Sequence, residues 1–212
     1  MQALGYTFQN QKLQEQAFTH PSLRKQQSNQ RLEFLGDAVL GLIVAEMLYQ
    51  RYPEEQEGDL ARRHAALVCG ESLVKIAEQV GLGESLRMAE SEVQSGGRTT
   101  ASNLEDVCEA LIGAIYLDGG IEAARAWVVS HWAAHMESLQ VPPKDSKTGL
   151  QEWAQGRGLG LPVYTVMQST GPAHAPEFTI RVEVAGVGYR EASAGNKRAA
   201  EQAAAKALLD SL

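Results

Sequence analysis

The 212-residue chain is short of several things, and each shortage excludes a class of protein. It has two cysteines, Cys69 and Cys108, too few for a disulfide framework. Both lie in apolar helical sequence and read as buried thiols in a reducing cytoplasm. Long hydrophobic runs are missing as well. "AVLGLIVA", Ala38 to Ala45, is far below the ~20 apolar residues a membrane span needs. The first residues, "MQALGYTFQNQKLQEQ", have neither a basic start nor an apolar core, so no signal peptide is expected. No G-x-S-x-G, phosphate-binding G-x-x-x-x-G-K or zinc-spaced Cys/His set occurs.

Positive charge is scarce, and unevenly so. Residues 1–143 hold 11 Lys and Arg against 19 Asp and Glu, a net of −8, whereas residues 144–212 hold 8 against 7, a net of +1. An acidic first part argues against phosphate binding there, unless the acid is gathered to hold divalent cations, which would invert the local field. Between the parts, "QVPPKDSK" (Gln140 to Lys147) is polar and carries two prolines, the composition of a linker. The domain reading is 1–139, linker 140–146, and 147–212.

What the first part does have is helical period. "NQRLEFLGDAVLGLIVAEMLY" reads as one long helix from Gln30 to Tyr52, apolar on nearly every side, yet Glu33 and Asp37 stand one turn apart on it. Unpaired ionised carboxylates in apolar surroundings are costly, so they must meet a cation, either a buried Arg or Lys or a metal. "EDVCEALIGAIYLDGG" repeats the pattern, with Asp106 and Glu109 three apart on one face. Two such helices would bring four carboxylates together, a set suited to hard cations such as Mg²⁺ or Mn²⁺. A di-iron bundle would need Glu-x-x-His, and none of the five histidines has a Glu three residues before it. Gly36 and Gly41 each cost the long helix about 1 kcal/mol relative to Ala, which close helix–helix contact would explain.

After the linker the pattern becomes helix, strands, helix. "TGLQEWAQGRG" is helical and "PVYTVMQS" is a strand. "EFTIRVEVA" alternates, with Phe178, Ile180, Val182 and Val184 on one face, and "NKRAAEQAAAKALLDSL" is a helix with Asn196 as its N-cap.

The heptad "RLEFLGD", Arg31 to Asp37, preceded by "HPS" and followed by "EDVCEALIGAIYLDGG", closely resembles the signature of ribonuclease III. The second part, with "LQEWAQ", "GPAHAPEF" and "NKRAAEQAAA", resembles a double-stranded-RNA-binding domain. The resemblance runs from about Leu4 to the end. It implies an all-α endonuclease domain followed by a small α+β domain of α-β-β-β-α order. The implied activity is Mg²⁺-dependent cleavage of double-stranded RNA, with Mn²⁺ able to substitute, by a cytoplasmic homodimer without membrane attachment. Substrates among rRNA and mRNA precursors are part of that implication.

Carried over residue by residue, the metal ligands are Glu33, Asp37, Asp106 and Glu109, with Asp37 and Glu109 the catalytic pair. Gln151, Glu152, His174, Lys197 and Arg198 are the RNA-binding positions. Glu57, in "EEQEGDL", matches a further acidic position near the cleavage valley. Gln30 is a departure, since many members have Glu there. The loss of that charge bears on substrate contact and subunit packing rather than on the metal shell. A duplex-RNA binder without cleavage is the alternative of another class, and four acidic ligand positions argue against it.

Overall fold

The computed structural model describes residues 4–23, 25–139, 145–171 and 176–212. The chain divides into two compact units, Met1–Pro143 and Lys144–Leu212, each with its own apolar core.

The first unit is helical. Its elements are α1 (Gln11–Ala17), α2 (Gln30–Arg51), α3 (Glu57–Leu67), α4 (Gly70–Val80), α5 (Leu82–Ser85), α6 (Glu90–Gln94) and α7 (Ala101–Ser138). Local chemistry sets several boundaries. Asn10 caps α1 through its side-chain oxygen, and α4 ends at Gly81, whose φ of 71° suits glycine. α7 is two helices joined at Gly120 (φ 77°, ψ −175°), a conformation that L side chains rarely adopt. The sequence there is "LDGG", and its second glycine is the residue that takes this conformation.

α2 and α7 form the centre of the unit. α2 buries Leu32, Val39, Leu40, Ile43, Val44 and Leu48, while α7 buries Val107, Cys108 and the run Ala110–Ile115. What lets them approach is glycine. A Cβ added at Gly36 would stand 1.8 Å from the carbonyl oxygen of Glu109, and one at Gly113 would stand 2.3 Å from that of Leu32. Gly41 is different: its added Cβ would meet the His64 ring at 3.7 Å, an ordinary contact. Helix packing therefore explains Gly36 and not Gly41.

α2 is apolar on nearly every side because only one side faces the core. Phe34, Ala38, Leu42, Ala45 and Tyr49 follow one another at helical spacing along its outer face, with Phe34 81 %, Leu42 61 % and Tyr49 74 % exposed.

Cys69 corrects an expectation. It is exposed, because the helix breaks at Val68 and Cys69 takes the N-cap place of α4. Cys108 is buried as expected, and burial pushes its thiol up. "SGGR", Ser95 to Arg98, leads into a 3₁₀ turn (Gly97–Thr99), and the Arg98 guanidinium donates to the carbonyls of Gly83 and Glu84.

The second unit has the order α8 (Ser146–Gly156), β1 (Val163–Thr170), β2 (Glu177–Val184), β3 (Gly188–Ala194) and α9 (Lys197–Leu209). The strands form one antiparallel sheet in sequence order, with a register irregularity between Val166 and Gln168. Val182 and Val184 pack with Leu150 and Ala154 of α8 and with Ala204, Ala205 and Leu208 of α9, so the alternation of β2 becomes a core face. Asp145 caps α8 by accepting the Thr148 N–H and also accepts from Gln202, which ties the start of α8 to α9.

Candidate active site and RNA-binding surface

The contact of Gly36 with Glu109 sets the site. Residues four apart share a helix face, so fixing Gly36 against the Glu109 carbonyl brings Glu33 and Asp37 beside Asp106 and Glu109. Asp37 is exposed, and Glu33, Asp106 and Glu109 are half-buried, so the cluster lies at the rim of the helix pair rather than in the core.

Its electrostatics are those of crowded anions. Burial and then the charges of Asp37, Glu105, Glu33 and Asp106 push the Glu109 carboxyl up to about 8. Burial, Asp106 and Glu105 raise Glu33. Asp106 is raised by burial and Glu105, while the His20 ring draws it back down. Among the described residues none of these carboxylates is in an ion pair or a side-chain hydrogen bond. The first of the two routes the sequence left open, a network with a buried Arg or Lys, is therefore not the one taken.

Among those residues, no three Asp, Glu, His or Cys side chains are already closed around a point where a cation would sit. The donor set is nonetheless oxygen throughout, and a hard divalent cation would relieve the repulsion that holds Glu109 up.

Glu105 was missed by sequence reasoning although a signal existed. Glu105 and Glu109 are four apart, the same spacing as Glu33 and Asp37. Its carboxylate lies over the first residue of α4, where a Cβ added at Gly70 would stand 2.6 Å from Oε2. The N-terminal end of a helix is a favourable place for an anion.

Glu57 opens α3 as an exposed acid, and the charges that act on Glu109 do not include it. Gln30 opens α2, exposed, and accepts from the Ser28 hydroxyl at 3.5 Å. It helps line an open hollow of about 610 Å³ beside Phe34, together with Leu13, Leu32, Leu35 and Leu117.

In the second unit, Lys197 and Arg198 form the exposed first turn of α9. They line a hollow of about 610 Å³ with Gln151, Thr148 and Lys147 of α8. Asn196 caps α9 by accepting the Ala199 N–H at 2.8 Å. Glu152 is exposed on α8 but does not line this hollow, and His174 lies outside the described residues. Lys147, which sequence reasoning passed over, pairs with Glu201 and sits 4.6 Å from the centre of the Tyr164 ring.

Comparison with known proteins matches the same two units. Residues 10–136 fit the Ribonuclease-III-like family model, and residues 146–212 fit the model of the double-stranded RNA binding motif. The chain belongs to the ribonuclease III family. Among family members, the Ribonuclease 3 of a Wolbachia species from Brugia malayi is 44 % identical over 215 positions, covering 99 % of this chain and 88 % of its own length. The Ribonuclease 3 of Ehrlichia ruminantium (strain Gardel) is 45 % identical over 210 positions, covering 97 % and 92 %. In three dimensions, the nuclease domain of ribonuclease III from Campylobacter jejuni superposes with a TM-score of 0.59 at 41 % identity, over 62 % of this chain and 95 % of that one. That structure is described as flexible in a region involved in dimer formation. The family assignment makes the first unit a double-strand-specific endoribonuclease domain and the second a double-stranded-RNA-binding domain. Among the described residues no helix is long and apolar enough to cross a membrane.

Proposed function

We propose that this family member hydrolyses double-stranded RNA with Mg²⁺, or Mn²⁺ in its place, leaving 5′-phosphate and 3′-hydroxyl ends. The observation that carries the reading is the Gly36–Glu109 contact, which seats two acidic helix faces side by side in a chain that also carries an RNA-binding unit. Glu33, Asp37, Asp106 and Glu109 would hold the cation, with Asp37 and Glu109 the pair on which cleavage depends most. A bound divalent cation lowers the pKa of water and offsets charge on a phosphodiester. The carboxylates orient it, and Glu109 must give up its proton to do so. None of them acts as a nucleophile. Glu57 serves the edge of the cleavage surface.

Lys197 and Arg198 at a helix N-terminus suit phosphates, while Gln151 and Glu152 on α8 and His174 reach 2′-hydroxyls in the minor groove. In this reading residues 1–139 cleave, 147–212 hold the duplex, and 140–146 join them; 140–144 lie outside the described residues. The enzyme works in the cytoplasm on duplex segments of rRNA and mRNA precursors.

The functional unit is a homodimer. Phe34 stands almost fully exposed next to a hollow lined by Leu13, Leu32, Leu35 and Leu117, and the apolar stripe continues through Leu42 to Tyr49. A knob and a hollow on one face suit a two-fold partner, each copy filling the other. Gln30, at the edge of that hollow, serves this packing and the substrate side beyond it.

The deciding experiment is incubation of the purified protein with a long RNA duplex, in Mg²⁺ and in EDTA, with analysis of the ends. The expected products are short duplexes with 5′-phosphates, formed only with the cation. Products ending in 2′,3′-cyclic phosphate would overturn the reading, because they require the RNA's own 2′-oxygen as nucleophile.

A further inference from the structure

The RNA-binding unit is nearly neutral, with 8 Lys and Arg against 7 Asp and Glu over residues 144–212, so the state of each cation decides how it holds a polyanion. Several are taken up within the fold. Arg181 pairs with Glu191 across the sheet at 2.7 Å, and Lys206 pairs with Asp210 along α9 at 2.6 Å. Lys147 is also paired, but it differs in place: it lines the same hollow as Lys197 and Arg198.

Lys147 is held from three directions. Its ammonium donates to Glu201 Oε2 of α9 at 2.5 Å, and the Glu201 side chain is only 16 % exposed. The same ammonium sits 4.6 Å from the centre of the Tyr164 ring, whose face attracts a cation. Its backbone N–H, with that of Ser146, donates to Gln202 Oε1, at 3.3 and 2.9 Å. Neighbouring residues of α9 thus fix both the main chain and the side chain of Lys147. Asp145, the other acid on the hollow, accepts instead from the Thr148 N–H and the Gln202 amide. Glu201 also lies one helical turn beyond Lys197, yet its ion pair is with Lys147. Among the described residues neither Lys197 nor Arg198 is in an ion pair.

We propose that Glu201 sets the strength of duplex binding by withholding Lys147 from the RNA. Phosphates that reach this face are neutralised by Lys197 and Arg198, while Lys147 stays with its carboxylate. A phosphate that took Lys147 would have to displace a charge-assisted contact already made. It would also leave Glu201 as a bare anion beside the incoming backbone, and like charges placed together are costly. The exchange therefore gains little, and the ion pair survives binding. The proposal rests on the reading of Lys197 and Arg198 as phosphate contacts.

Two substitutions and their combination test this. Glu201→Gln keeps the shape of the side chain and removes its charge; should it melt early, Glu201→Ala, which favours the helix, serves in its place. Lys147→Met keeps an apolar stem against Tyr164 and removes the ammonium. The readout is binding of a short RNA duplex to the full-length protein in EDTA, from about 50 to about 200 mM salt. Glu201→Gln should bind tighter than wild type at the low end and steepen the salt slope by about 0.7–0.9 for each RNA-binding unit that engages the duplex. Its advantage should then shrink by about threefold per unit across this fourfold change in salt. Lys147→Met alone should leave the wild-type slope unchanged, and Glu201→Gln with Lys147→Met should return to it. An unchanged slope in Glu201→Gln overturns the proposal. So does a double variant that keeps the steeper slope, because the gain would then come from lost repulsion and not from Lys147. A slope lowered by Lys147→Met alone also overturns it, since Lys147 would already meet a phosphate. If Lys197→Ala with Arg198→Ala leaves the wild-type slope unaltered, the reading of this surface has itself failed. If that slope falls and Glu201→Gln does not raise it, only the role of Glu201 has.

Discussion

Replacing Gly36 by alanine tests whether the α2–α7 contact builds the active site. The added Cβ would stand 1.8 Å from the Glu109 carbonyl oxygen, 2.5 Å from its carbon and 3.0 Å from the Gly113 nitrogen. Ordinary contact begins at 3.4 Å, so the helices must part by about 1.6 Å, the difference between 3.4 and 1.8. All three obstacles are backbone, and no side-chain rotation relieves them. Overpacking of this kind costs ~1–3 kcal/mol, and the better helix propensity of alanine returns ~1 kcal/mol. The net loss is then ~0–2 kcal/mol, or up to ~8 °C in melting temperature at ~2–4 °C per kcal/mol for a chain of this size.

Cleavage should suffer far more than stability. The atoms displaced carry Glu109, and a 1 Å misplacement of catalytic groups can cost about 100-fold in rate. Gly41→Ala is the matched control on the same helix. Its Cβ meets only the His64 ring at 3.7 Å, so it should keep full activity and gain up to ~1 kcal/mol. Urea denaturation and single-turnover cleavage of an RNA duplex would be measured on both. Gly36→Ala with wild-type rate and stability, or Gly41→Ala equally damaged, would refute the account.

The remaining predictions address charge, assembly and RNA. Glu109→Gln and Asp37→Asn should each keep duplex binding and lose most cleavage; wild-type turnover in both would remove the cluster from the chemistry. In metal-free protein the Glu109 carboxyl sits at about 8 against an ordinary 4.5, so the folded state binds its proton more tightly. That contribution is full below pH 4.5 and is lost as pH rises through about 8, so the wild type should melt progressively lower across this window. Glu109→Gln should flatten the trend, and an unaltered slope in the variant would count against the crowded-anion picture. Phe34→Asp should convert a dimer at micromolar concentration into a monomer by sedimentation, and a dimer of undiminished affinity would move the interface off the outer face of α2. Lys197→Ala with Arg198→Ala should reduce the salt slope of duplex binding by about 0.7–0.9 for each phosphate that is no longer neutralised; an unchanged slope would mean these cations are merely solvated.

How far the sequence reveals the site depends on whether the signal is local. Glu33 with Asp37, and Asp106 with Glu109, are visible as same-face pairs because helix periodicity is a property of neighbours in the chain. The capping of α9 by Asn196 and the alternation of β2 are visible for the same reason. The exposure of Cys69 is a different matter. It depends on where one helix stops and the next begins within "AALVCGESL", and Gly70, the residue that admits Glu105, has no mark of that role in the sequence around it.

The outer face of α2 shows why amphipathicity misled. A helix with a core on one side and an exposed apolar stripe on the other has almost no hydrophobic side-to-side contrast, and so reads as wholly buried. The carboxylates then look like charges in a core, when Asp37 is in fact exposed and the cost falls on Glu109. That cost is set first by burial and then by the four other acids brought beside Glu109 by a glycine contact across 73 residues of chain, Gly36 to Glu109. No window along the sequence contains it. Yet the ingredients do lie in the sequence as a glycine inside each acidic helix, Gly36 between Glu33 and Asp37, and Gly113 one turn beyond Glu109. A small residue flanked by same-face carboxylates marks the point where two such helices can touch, and hence where their charges must be neutralised together.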